Sequence, residues 1–150
     1  MEFRKIDETN RAECEALKVE KEQELFVADN ARSLAEAAQD DGLCTLGIYD
    51  GDTMVGFLLY DYDETYPGWS LSRFMIGRQF QGRGYGKRAA AEFLSYFRAR
   101  RSADRLYISV SLDNTAARNM YAALGFRNIG ENEYDYDGLH FREMQMVKEF

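Results

Sequence analysis

The chain predicts an α+β fold built on a mixed, mostly antiparallel sheet of about seven strands with about four helices, and three observations carry that expectation. Strand-like alternation fills two stretches on either side of Asp50-Gly51-Asp52, which makes a hairpin early in the chain. A strand, a glycine-rich turn and a long helix follow one another across residues 69–100. No linker or repeat divides the 150 residues, and a 17.3 kDa chain suits one domain over 1–150. A chain of this mass buries about 69% of its unfolded surface, enough for one solid core.

Taken in order, residues 3–6 read as a short strand. Asn10 and Glu13 stand at capping-box spacing and open a helix through Leu17; Ser33 and Glu36 repeat the signature and open a second helix over 33–38. Residues 43–49 and 54–60 form the hairpin, and 61–68, with acids, tyrosines and the single proline, form its end and a turn. Residues 69–76 are the next strand, but 79–86 hold too much glycine to continue it. From Gly86 to about Arg100 a helix places Ala90, Phe93, Leu94 and Phe97 on one face. Residues 105–110 return as a strand, Asn114 opens a helix through Leu124, and Gly125 ends it. Extended segments over 126–130 and 140–147 close the sheet.

Composition excludes several classes. With 45% hydrophobic residues, 14% aromatics and one proline, the chain is neither disordered nor of low complexity. It has no apolar run near the eighteen or so residues of a spanning helix, and Met1-Glu2-Phe3-Arg4-Lys5-Ile6-Asp7 lacks the apolar stretch of a signal peptide. A soluble cytoplasmic protein without a membrane partner is expected. Cys14 and Cys44 have no second Cys or His at ligand spacing, so no metal site follows and both read as buried small apolar residues. His140 is the only histidine and reads as structural.

The net charge of -7 is unevenly spread: residues 1–66 carry -11, residues 67–118 carry +7 and residues 119–150 carry -3. A basic middle inside an acidic chain suits an anionic ligand at the centre and a cationic partner elsewhere. Clustering of a solvated surface by chance would give the same figures.

Chemistry concentrates in Phe74-Met75-Ile76-Gly77-Arg78-Gln79-Phe80-Gln81-Gly82-Arg83-Gly84-Tyr85-Gly86-Lys87. Alternate glycines between a strand and a helix let backbone approach a ligand closely, and the free N–H groups of the helix start attract an anion. Arg83 and Lys87 add charge, and Arg73, Arg78, Arg88 and Arg118 would strengthen the field. A Walker A loop is excluded because Gln81 stands at its first glycine and Arg88 follows Lys87. The dinucleotide pattern fails because its third glycine comes one residue early.

The remaining pattern, Gln81-x-x-Gly84-x-Gly86, resembles the acetyl-CoA signature of the GCN5-related N-acetyltransferase superfamily. Asn114-Thr115-Ala116-Ala117-Arg118-Asn119-Met120-Tyr121-Ala122-Ala123-Leu124-Gly125-Phe126 resembles that family's N-x-x-A-x-x-x-Y-x-x-x-G-F segment at every named position. The resemblance covers essentially the whole chain. It implies a sheet whose fourth and fifth strands splay apart to admit acetyl-CoA as co-substrate. Phe74 and Ile76 would bond the pantetheine through their backbone. The amides of Gly82, Arg83, Gly84, Tyr85, Gly86 and Lys87 would hold the pyrophosphate, with Gln81, Asn114 and Asn119 also on the cofactor side. Asn114 equally suits a helix N-cap.

The same resemblance implies direct attack by an amine, an oxyanion held by N–H groups near Met75 and Ile76, and Tyr121 as general acid beside the sulfur. Relatives often place an acid on the fourth strand, whereas Trp69-Ser70-Leu71-Ser72-Arg73-Phe74-Met75-Ile76 has none. Glu24, Asp61, Asp63 and Glu64 remain as candidates for the base and the substrate contacts.

Acids beside tyrosines in Asp61-Tyr62-Asp63-Glu64-Tyr66 and Glu133-Tyr134-Asp135-Tyr136-Asp137 would suit a flexible polycation. Residues 24–37 and 70–76 also resemble the corresponding regions of bacterial spermine/spermidine N-acetyltransferases. A small-molecule amine, spermidine or spermine, is therefore the expected acceptor. An aminoglycoside or other small amine, and a noncatalytic acyl-CoA sensor, are the alternatives. Nucleic acid is disfavoured because the acidic flanks repel phosphate, and a homodimer through the closing strands is expected only by analogy.

Overall fold

Alternating apolar residues and the Gly51 turn fold the first half into an antiparallel meander, seen in a computed structural model that describes residues 1–64, 68–136 and 138–150. Its strands are β1 (Glu2–Lys5), β2 (Cys44–Asp50), β3 (Thr53–Asp63) and β4 (Gly68–Ile76). With β5 (Arg105–Ser111), β6 (Arg127–Tyr136) and β7 (Leu139–Glu149) they form one sheet in the order β1-β2-β3-β4-β5-β7-β6. Among the described residues β4 and β5 are the one parallel pair, joined through the crossover helix α3 (Tyr85–Arg100). The other helices are α1 (Arg11–Ala16), α2 (Asn30–Ala38) and α4 (Thr115–Ala123). Short 3₁₀ turns occupy Lys21–Gln23 and Arg78–Phe80. No helix among the described residues is long and apolar enough to cross a membrane.

Strand alternation gives the sheet two apolar faces, each covered by helices. On one face Cys14 and Leu17 from the α1 segment and Leu34 of α2 pack on Met54, Phe57, Leu59 and Met75. On the other, Ala89, Phe93 and Phe97 of α3 pack on Val55, Leu58, Tyr60, Ile76 and Ile108, with Tyr121 of α4 and Phe126 beside them. The face expected for the long helix is the buried one, although Leu94 is only partly covered. Tyr60 meets the rings of Phe93 at 5.4 Å and Phe97 at 6.1 Å, which ties α3 to the sheet centre.

β4 and β5 pair only at Ser70↔Tyr107 and Leu71↔Ile108. Beyond that point β4 follows β3 as far as Gly56↔Ile76, whereas β5 follows β7 as far as Ser111↔Glu143. A register shift between Leu59 and Tyr60 leaves Ser72 as an extra residue on β4, where a bulge bends the strand. A cleft therefore opens inside the sheet with residues 72–76 as one wall.

Neither expected capping box forms. Asn10 makes no side-chain cap on α1; its side chain accepts from the Asp7 N–H at 2.8 Å and donates to Lys5 O at 3.0 Å, while Glu13 accepts the Met54 N–H at 3.2 Å. Ser33 lies inside α2, which begins three residues earlier because the Asp29 side chain accepts the Arg32 N–H at 2.8 Å. The capping box that does form joins Glu20 and Gln23 on the first 3₁₀ turn. β6 and β7 extend past the expected 126–130 and 140–147 because they pair along their whole lengths, from Arg127↔Val147 to Tyr136↔Leu139.

Phe93 is fully buried. Truncation by Phe93→Ala is expected to lower unfolding free energy by about 3–5 kcal/mol, read from urea denaturation.

Candidate active site

The cleft wall presents backbone rather than side chains. The Gly77 N–H donates to Val55 O at 2.9 Å, which marks Gly77 and Val55 as a hydrogen-bonded pair of the β3–β4 ladder. Alternation then turns Met75 toward β3 and leaves the N–H and C=O of Phe74 and Ile76 facing the cleft. Of the two amides expected near an oxyanion, the one on Ile76 faces the open side. Gln81 Nε2 donates to Ile76 O at 2.9 Å and to Gln23 Oε1 at 2.9 Å, so the glycine-rich turn is tied both to β4 and to the segment between α1 and α2.

The turn itself is an array of free donors. Gly82 and Gly84 have φ of +77° and +84°, the left-handed region open to glycine. The Arg88 N–H donates to Gly84 O at 3.2 Å, whereas the amides of residues 82–87 find no acceptor among the described residues. These orphan N–H groups sit at the positive end of a 16-residue helix. A Cβ on Gly84 would meet nothing within 4 Å, so the space beside the turn is open. Such a cradle fits a pyrophosphate, and with it coenzyme A.

A cavity of about 310 Å³ extends from this turn, walled by Phe74, Met75, Ile76, Gln81, Gly82, Gly84, Tyr85 and Gly86 on one side and by Asn114 and Met120 on the other. Gln23 and Phe26 close it from the α1–α2 segment. Asn114 also caps α4, accepting the Ala117 N–H at 3.2 Å. Arg83, Lys87 and Asn119 are exposed and do not line the cavity. Tyr85 turns its hydroxyl to Asp50. Tyr121 is 7% exposed, its ring edge-on to Phe126 at 5.5 Å, and burial pushes its phenol well above the ordinary range. The phenol therefore carries its proton at neutral pH.

A second cavity of about 310 Å³ meets the first at Phe26 and Val27, which line both. Its walls carry Glu24, Arg32, Glu36, Ser72, Arg73, Ser111, Tyr134, Tyr136, Phe141 and Glu143. Of the expected acceptor-side acids, Glu24 lines this space. Asp61 reaches it only indirectly, accepting a hydrogen bond from the Ser72 hydroxyl, and burial raises its carboxyl pKa. Asp63 and Glu64, at the far end of β3, line neither cavity. Tyr66 and Asp137 lie outside the described residues.

Arg73 departs from its expected place in the phosphate field. It shares a face of β4 with Met75, on the α1–α2 side, where Nη2 meets Glu36 Oε2 at 2.6 Å and Nη1 donates to Ser33 Oγ at 3.0 Å. Sequence reasoning missed Glu36, Phe141 and Glu143. The period of two along β7 places 139, 141 and 143 on one face, and only the pairing of that strand with β5 shows that this face meets the cavity. Cys14 is fully buried and burial pushes its thiol up to about 12, which removes it as a nucleophile. Cys44 is only partly buried, with Arg101 Nη2 at 3.8 Å from its sulfur. His140 is exposed on β7 with Nδ1 2.8 Å from Asp135 Oδ1.

The profile of the acetyltransferase (GNAT) family matches residues 5–126. The chain belongs to this family. As a GNAT protein it is an acetyl-CoA-dependent N-acetyltransferase, and the parting of β4 from β5 is the family's splay. The chain is 29% identical to the spermine/spermidine N(1)-acetyltransferase of Bacillus subtilis strain 168 over 151 aligned positions, covering 96% of this chain and 95% of that one. The spermidine N-acetyltransferase of Vibrio cholerae, solved with CoA and spermine, shares the fold at a TM-score of 0.77 and 15% identity, covering 99% and 94% of the two chains. The ribosomal-protein-alanine N-acetyltransferase of Brucella melitensis does so at 0.76 and 18%, covering 100% of both.

Gly84→Ala separates folding from binding in this GNAT domain. A Cβ at φ +84° should cost about 1–2 kcal/mol of stability. Backbone that relaxes away from that φ re-aims the neighbouring N–H donors, so CoA affinity measured by calorimetry should fall about tenfold or more, which is about 1.4 kcal/mol.

Proposed function

We propose that this acetyltransferase transfers the acetyl group of acetyl-CoA to a primary amine of spermidine or spermine by direct attack. The observation that carries the acceptor is the second cavity, where acids and tyrosines meet at the mouth of the cleft. Arg32 and Arg73 also line it, yet both are bound to Glu36, at 3.4 and 2.6 Å, which leaves Glu24 and Glu143 to face a cation. The name of the Bacillus relative supports the same substrate class. A long polyamine has room to continue, since a neighbouring cavity of about 430 Å³ shares Glu24, Val27, Ala28 and Arg32 with the acceptor space.

In this reading the amides of Gly82, Arg83, Gly84, Tyr85, Gly86 and Lys87 hold the pyrophosphate, with Arg83 and Lys87 adding charge at the mouth. Phe74, Ile76 and Asn114 align the pantetheine arm. The Ile76 N–H faces the position where the thioester oxygen gains charge, and stabilises it there. Tyr121, held protonated by burial, gives its proton to the departing sulfur. Acceptor nitrogen attacks the carbonyl carbon without an acetyl-enzyme, consistent with the inert Cys14 thiol.

Spermidine and spermine added to the protein with acetyl-CoA should release CoA, whereas an aminoglycoside should release little. Silence with both polyamines overturns the acceptor assignment. Tyr121→Phe should lower kcat about hundredfold or more while leaving CoA affinity, measured calorimetrically, unchanged.

A further inference from the structure

An alkylammonium must lose a proton before its nitrogen can attack, and β4 offers no acid to receive it, because Arg73 stands there and is bound to Glu36. Among the described residues, three carboxylates line the acceptor cavity. Glu36 is held by Arg32 and Arg73, so its charge is already answered twice. Glu24 is exposed on the segment between α1 and α2. Glu143 is placed differently. It pairs in register with Ser111, the last residue of β5, and so sits beside the point where the cleft between β4 and β5 is open.

Across β6, Asn132 is the register partner of Glu143, and Tyr134 lies two residues on, on the same face. The Tyr134 ring stacks on Phe141 at 5.2 Å with an interplanar angle of 20°, which fixes its position. Burial and the Glu143 carboxylate alongside push the Tyr134 phenol well above its ordinary range. The phenol beside Glu143 therefore stays neutral and donates to it, and adds no second negative charge. On the same faces of β5 and β7, one step further in, Ser109 donates to Gln145 at 2.6 Å, which continues a polar strip away from the cleft.

We propose that Glu143, positioned by Tyr134, receives the acceptor ammonium at the mouth of the cleft and takes the proton that must leave before attack. This inference rests on the reading of the chain as a polyamine acetyltransferase and names the base of that reaction. The ammonium R-NH3⁺ gives one proton to the Glu143 carboxylate, which passes it to solvent. The freed nitrogen pair forms the C–N bond as the carbonyl pair moves to oxygen. When that pair returns, the C–S bond breaks and the sulfur takes the proton of Tyr121. Tyr121 recovers a proton from the new amide nitrogen, which is left with one.

Glu143→Gln keeps the size and the Tyr134 contact but removes the charge. With spermidine, kcat/KM should fall about hundredfold or more, and spermidine binding to the CoA-loaded protein should weaken, while CoA affinity stays at the unaltered value. Glu143→Asp, which keeps the carboxylate, should recover part of kcat. Tyr134→Phe should raise KM for spermidine more than it lowers kcat. Glu131→Gln, on the other face of the same hairpin as the register partner of Met144, should change neither. If the unaltered protein acetylates spermidine and Glu143→Gln does so within about threefold, this inference falls and the polyamine reading stands. If the unaltered protein neither binds nor acetylates spermidine, both fall.

Discussion

Everything in this molecule depends on one interrupted hydrogen-bond ladder. β4 and β5 share only two register pairs, Ser70↔Tyr107 and Leu71↔Ile108, before the bulge at Ser72 bends β4 away. Unpaired buried N–H and C=O groups cost about 1–3 kcal/mol each, so a sheet would ordinarily close. Here the two strands are held apart by stronger commitments on their outer sides. β4 remains paired to β3 through Gly56↔Ile76, and β5 to β7 through Ser111↔Glu143. The backbone of Phe74 and Ile76 is thereby left facing a space that a ligand can fill.

The same parting divides the chemistry between two faces. Strand alternation sends Phe74 and Ile76 toward α3 and α4, where the orphan amides of the glycine turn collect. It sends Arg73 and Met75 toward α1 and α2, where the second cavity lies. Gln81 links the two sides, donating to Ile76 O and to Gln23, so the glycine-rich turn also braces the segment that walls the second cavity. Charge follows the same division, with the exposed cations of the turn on one side and Glu24 and Glu143 on the other.

Local signals were the most legible in the sequence. The spacing of Gln81, Gly84 and Gly86 sits in a turn whose geometry is set by its own backbone, so glycine at positive φ could be read from residue type alone. The two helix caps show the limit of such reading. Ser33 and Glu36 have capping-box spacing, but Ser33 is buried in α2 and its hydroxyl bonds Asp29 O, because Asp29 competes for the same helix start and wins. Asn10 and Glu13 have it too, and both are drawn off by the β-strands they touch, Asn10 by Lys5 and Glu13 by Met54. A cap is a contest among several acceptors, and its outcome depends on partners far along the chain.

By itself the sequence determined the fold class and the donor motif, since strand alternation, turn glycines and helix period are local signals, and the resemblance of residues 114–126 singled out Tyr121 as the candidate general acid. Tertiary structure decided which acids surround the second cavity. Asp63 and Glu64 have the right composition but lie at the far end of β3, whereas Glu143 reaches the cleft mouth only because β7 pairs with β5 through to Ser111. Arg73 is expected from the sequence to strengthen the field around the glycine turn and becomes the counter-ion of Glu36 in the fold. A strand turns successive side chains to opposite sides of the sheet, so the partner of each charge is fixed by register and not by proximity in sequence.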